Sequence, residues 1–119
     1  MAGTDAGFLN SFDYPGIGLH EELSLFVKSG LTPPQALTAA TRAGPAWFGL
    51  LDQYGSISNG KVADLVLLDA NPLEDIAATR AIRAVVLRGR LFDQRALHKL
   101  LKDARDKVSV WNREAAVRQ

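Results

Sequence analysis

The sequence predicts an α+β chain: a loop and three helices, then a small sheet, then one closing helix. Three observations predict it. Apolar residues recur at helical spacing between Leu19 and Leu51. A largely apolar run, Ala63 to Leu68, and a second extended stretch from Ile82 to Leu87 then read as strands. Finally Leu97, Leu100, Leu101, Ala104 and Val108 return to helical spacing.

Taken in order, Met1 to Gly18 is Gly-rich and polar, with room for a short strand end at Ala2 to Thr4 and loop chemistry after it. A helix is expected from His20 to Ser29. Leu19, Leu23, Phe26 and Val27 share one face, Glu21 and Glu22 fall in the first turn, and Gly30 stops it. Thr32-Pro33-Pro34-Gln35 is a helix start, with Thr32 as cap, Pro33 at the first position and Gln35 completing a capping box. That helix runs to Ala43 with Leu37, Ala40 and Thr41 inward. Gly44-Pro45 interrupts it, and a third helix, Ala46 to Leu51, carries Trp47 and Phe48 as core.

The character changes after Asp52. Ser58-Asn59-Gly60-Lys61 is a tight turn between short extended pieces. The largely apolar run from Ala63 to Leu68 predicts a strand buried on both faces. Asn71-Pro72 opens a loop. Ile82 to Leu87 is a strand, Arg88-Gly89 a turn and Arg90 to Phe92 the return strand. A helix from Asp93 to Val108 follows, Trp111 continues its face, and the tail from Asn112 to Gln119 frays. The division is residues 1–51 and 52–119, folding as one unit.

The chain has 119 residues, enough for one domain. Its 47% hydrophobic and 23% charged content is that of a globular protein. A net charge of +1, with both signs interspersed, gives no reason to expect nucleic acid or an anionic membrane as partner. Cysteine is absent, which excludes disulfides, thiolate zinc sites and a thiol nucleophile, and fits a cytoplasmic protein. Nothing at Met1 to Asp5 resembles a secretory signal.

Few residues qualify for chemistry. Asp5 follows the strand end at Thr4, where a carboxylate can bind metal or take a proton from activated water. An ordinary turn aspartate is the competing reading. His20, after the Gly-rich loop, is placed for a substrate contact or as an exposed helix-start histidine. His98 lies one residue beyond the inward Leu97 and reads as a surface residue. No histidine pair has metal-ligand spacing, and catalytic zinc needs three protein ligands with one open position. Neither a phosphate-binding glycine loop nor a nucleophile elbow occurs.

Several segments together resemble the amidohydrolase superfamily, in its imidazolonepropionase-like and prolidase-like branch. They are Ala2-Gly3-Thr4-Asp5-Ala6-Gly7, Leu19-His20-Glu21-Glu22-Leu23, Gly30-Leu31-Thr32-Pro33, and Gly60-Lys61-Val62-Ala63-Asp64-Leu65-Val66. Asn71-Pro72-Leu73-Glu74-Asp75-Ile76 and Val85-Val86-Leu87-Arg88-Gly89 complete the set. The resemblance reaches to about Leu101.

That resemblance implies an α/β fragment: the last strand and C-terminal helices of a (β/α)8 barrel, plus part of a small β-sandwich, ending in a helix. It implies that Asp5 binds a divalent metal, zinc or similar, and handles the proton of the attacking hydroxide. His20 then contacts substrate. The family's other ligands, an H-x-H pair, a bridging lysine or carboxylate and two further histidines, have no counterpart here. The expectation is therefore a C-terminal piece of a hydrolase for amide or peptide-like C–N bonds, inactive alone and binding no metal alone. Its alternative is a non-catalytic, self-associating module whose former packing surfaces are exposed. The expected partner is a second copy or a missing barrel segment.

Overall fold

The computed structural model describes residues 1–4 and 16–117. Four α-helices, one 3-10 helix and a three-stranded sheet make up the described residues. Helix α1 spans Ile17–Lys28, three residues earlier than its predicted start, because Gly16 turns the chain at φ +88°. Glu21 and Glu22 therefore fall in the second turn, away from the exposed amides that favour negative charge. The helix ends as foreseen. The Leu31 N–H donates to Phe26 O and the Gly30 N–H to Val27 O, with Gly30 at φ +105°. This is a Schellman closure, which needs a left-handed residue where glycine sits.

Helix α2 spans Pro33–Thr41. Its capping residues act as predicted: the Thr32 N–H donates to Gln35 Oε1 at 2.8 Å. Thr41 is exposed rather than inward, and its hydroxyl donates back to Leu37 O. Ala36 is the inward residue, fully buried. Helix α3, Ala43–Trp47, begins before Gly44-Pro45 and includes it, instead of starting after it. Pro45 lies within the first turn, whose amides have no partner inside a helix, so its missing N–H costs nothing there. Trp47 was expected in the core and is 82% exposed; Phe48 is exposed as well.

Strand β1, Leu65–Leu68, pairs antiparallel with β2, Ile82–Leu87, which pairs antiparallel with β3, Arg90–Phe92. Arg88 (φ +48°) and Gly89 (φ +79°) form the predicted two-residue turn, both left-handed as the twist of a hairpin requires. Asp64 Oδ1 accepts from the Arg88 N–H at 2.7 Å and Ala63 O accepts from the Gly89 N–H at 3.0 Å. The start of β1 thus holds the turn of the neighbouring hairpin. Between Leu67↔Ala84 and Leu68↔Ile82 the register skips Arg83, a bulge at the sheet edge.

Strand β1 is not buried on both faces. Val66 is 56% exposed and Leu67 is exposed too. An apolar run buries both faces only where a layer covers each, and the described residues cover neither completely. The extended pieces expected around Ser58-Asn59-Gly60-Lys61 are not strands. The turn is present, with the Lys61 N–H on Ser58 O at 3.3 Å. Its flanks are held instead by the Lys61 ammonium, which donates to Leu51 O, Tyr54 O and Ser56 Oγ.

A 3-10 helix, Ile76–Arg80, was not foreseen, being too short to show a period. Asp75 Oδ1 accepts from the Ala77 N–H at 2.9 Å and starts it. It brings Ile76 against Leu23 and Ala36, with Phe26, Val27, Leu37 and Ala40 around them. The core therefore joins α1 and α2 to a residue from beyond Asp52. Helix α4 spans Gln94–Val117, capped by Asp93 Oδ1 on the Ala96 N–H at 2.8 Å. It continues well past Val108, through the stretch expected to fray. Its first turns pack on β2 and β3. The predicted inward face holds only at Leu97: Leu100, Leu101, Ala104 and Val108 are exposed.

Candidate active-site segment

The N-terminal segment is clamped between the first two helices. The Ala2 N–H donates to Ala39 O at 3.0 Å. The Gly3 N–H meets both carboxylate oxygens of Glu22 at 2.9 Å. Charge-assisted contacts of this kind are stronger than neutral ones. In the sequence Glu22 reads as a helix-start acid and as part of Leu19-His20-Glu21-Glu22-Leu23. Its role here is to hold the backbone two residues before Asp5. Asp5 itself, the sequence-predicted catalytic and metal-binding residue, lies outside the described residues, as does the loop behind it to position 15.

His20 sits in the first turns of α1, half-buried. Its Nδ1 lies 3.0 Å from Thr79 Oγ1 on the 3-10 helix. The Thr79 hydroxyl donates to Ile76 O at 2.8 Å, so its single proton is committed there. Nδ1–H of His20 is then the donor to Thr79, and neutral His20 keeps a lone pair on Nε2. Burial, and secondarily the Arg80 guanidinium, hold the His20 pKa below its ordinary value. Arg80 is itself 4.0 Å from Glu21 on an exposed surface. The imidazole is thus a neutral, oriented hydrogen-bonding group that joins α1 to the second half of the chain.

Among the described residues no three His, Asp or Glu side chains gather as a metal site. The described residues do not fit a metal by themselves. His98 is exposed, as expected. The shallow depression beside it is lined by Arg83, Asp93, Gln94 and Arg95. Asp93 is already engaged in capping α4, so no free acid–histidine pair is available there.

A family model for the amidohydrolase family matches residues 1–92. The chain belongs to the amidohydrolase family. Solved structures agree. Phenylurea hydrolase B is 37% identical with a TM-score of 0.63, over 68% of this chain and 18% of that one. Molinate hydrolase is 34% identical with a TM-score of 0.61, over 64% of this chain and 16% of that one. A Xaa-Pro dipeptidase with bound methionine is 31% identical with a TM-score of 0.59, over 62% of this chain and 18% of that one. The chain spans less than a fifth of the length of these proteins, so it matches a fragment of a large amidohydrolase fold. No curated protein matches it. Amidohydrolases generally use divalent metals. Among the described residues no helix is long and apolar enough to cross a membrane.

Proposed function

We propose that this chain is the C-terminal part of a metal-dependent amidohydrolase that cleaves amide or peptide-like C–N bonds. The observation that carries this reading is the family match over residues 1–92, which includes the segment bearing Asp5. The relatives' names, a dipeptidase and a phenylurea hydrolase, support that bond class. On this reading Asp5 contributes one metal-binding carboxylate and accepts a proton from the attacking water, and His20 borders the substrate. The family's H-x-H pair, its bridging lysine or carboxylate and its two further histidines have no counterpart in this chain, so the chain alone is inactive and binds no catalytic metal. The cysteine-free composition supports a cytoplasmic location.

Two assays test it. The pure chain, with zinc or manganese added, should not hydrolyse a Xaa-Pro dipeptide or a phenylurea. A chimera in which residues 1–92 replace the matching segment of the Xaa-Pro dipeptidase should retain hydrolysis and lose it on Asp5→Asn. Turnover by the pure chain overturns the claim of inactivity. A folded, metal-loaded chimera that is indifferent to Asp5→Asn overturns the catalytic role.

A second reading, a non-catalytic module that self-associates, is supported by exposed apolar side chains at Trp47 on α3, at Phe48 just after it and at Val66 and Leu67 on edge strand β1. Light scattering decides it: a strictly monomeric mass at high concentration removes this reading.

A further inference from the structure

Helix α4 lies beyond residues 1–92 that match the family, and the proposed roles of Asp5 and His20 do not use it. It rests on the sheet through Ala96 and Leu97, which are half-buried. From His98 to Ser109 every residue except Asp103 is exposed. Leu97, Leu101, Ala104 and Val108 are spaced by four, three and four residues on one stripe; the sheet takes Leu97, and Leu101, Ala104 and Val108 stay open. That alternation is the seam of a helix pair. Leu101 is 56% and Val108 52% exposed, and no described residue covers them.

The flanks of the seam say what fits it. Arg105 and Lys107 border it, with His98 and Leu100 one turn earlier, and no acidic residue holds a flanking position between His98 and Val108. The two acids of this stretch lie on the outer face, paired within the helix. Lys99 reaches Asp103 at 2.6 Å and Lys102 reaches Asp106 at 2.7 Å. Across Gln94–Val117 six basic residues face three acidic ones, against a net +1 for the whole chain. We propose that α4 docks an amphipathic helix of another protein whose apolar stripe is flanked by Asp and Glu. A second copy of α4, side by side and in register, sets Arg105 opposite Leu100 and Lys107 opposite Asn112, so it offers no acid to either cation. A bilayer favours a broad apolar face, whereas this stripe is narrow and centred on Ala104. The inference is independent of the hydrolase reading.

Two synthetic helical peptides test it, identical in a Leu-based four-three repeat and carrying either Glu or Lys at the flanking positions. They are titrated with the full chain by fluorescence anisotropy, at low and high salt. The Glu peptide should bind, the Lys peptide at least about tenfold more weakly, and the difference should shrink in high salt. Leu101→Glu with Val108→Glu should abolish binding. Arg105→Glu with Lys107→Glu should reverse the preference, which keeps the test valid if the first variant unfolds. The proposal is overturned if neither peptide binds or if both bind equally. It is also overturned by a homodimer that Leu101→Glu with Val108→Glu dissociates, or by binding to phosphatidylglycerol vesicles that the same pair removes.

Discussion

His20 Nδ1 stands 3.0 Å from Thr79 Oγ1, and this contact spans 59 positions of sequence. It ties α1 to the 3-10 helix that precedes β2. Because the Thr79 hydroxyl donates its hydrogen bond to Ile76 O, the direction of the contact is fixed: the imidazole donates.

The first prediction concerns pH. The folded pKa of His20 lies below its unfolded value of about 6.5, through burial and then through Arg80. In the window between the two values the unfolded chain binds more protons, so stability rises with pH there. The contribution is complete above the unfolded value and is lost as pH falls towards the folded one. Denaturation midpoints should decline below about pH 6.5, and His20→Asn should flatten that decline. An unchanged slope in the variant would show that other groups carry it.

Glu22→Ala removes the acceptor of the Gly3 N–H. The expected loss is about 1–2 kcal/mol, reduced by the partial exposure of the site. Amide exchange at Gly3 should accelerate while exchange in α4 stays unchanged. Equal exchange at Gly3 in both proteins would mean the clamp is not formed in solution.

Ile76→Ala strikes where three elements meet, since Ile76 packs with Leu23 and Ala36. A loss of about 2–4 kcal/mol is expected from the lost contacts and the residual cavity. Urea denaturation followed by the helix signal checks it, with one cooperative transition shifted as a whole. If the two halves of the chain were independent, only part of the helix signal would shift.

Gly55→Ala combines two costs. Gly55 lies at φ +84°, and an added Cβ would stand 3.3 Å from Thr41 O and 3.4 Å from Arg42 Cα. Both neighbours are backbone and cannot swing aside. Destabilisation above about 1 kcal/mol is expected, more than an αL glycine in open space would show. Gly60→Ala, left-handed with nothing within 4 Å, is the control and should cost less.

The start of α2 and the end of α1 were readable because capping is local chemistry. Thr32 with Gln35, and Gly30 after α1, each act within a few residues of their place in the chain. Arg88-Gly89 was legible for the same reason. The clearest failures were Trp47, Phe48, Val66 and Leu67. Apolar pattern states which face can be buried but not whether anything covers it, and in this chain much remains uncovered. The 3-10 helix escaped because five residues show no period. Glu22 and Lys61 escaped because their partners are backbone atoms, which no residue pattern announces.

The sequence by itself determined the order of elements, the tight hairpin, the family and the choice of Asp5 as the acid to watch. These rest on short-range backbone preferences and on motifs that survive without a three-dimensional context. Only the tertiary structure decided that Glu22 grips Gly3, that Thr79 orients His20, and that α4 carries an open seam. Each depends on groups far apart in the chain, whose meeting is set by packing of the whole and not by any local run of residues.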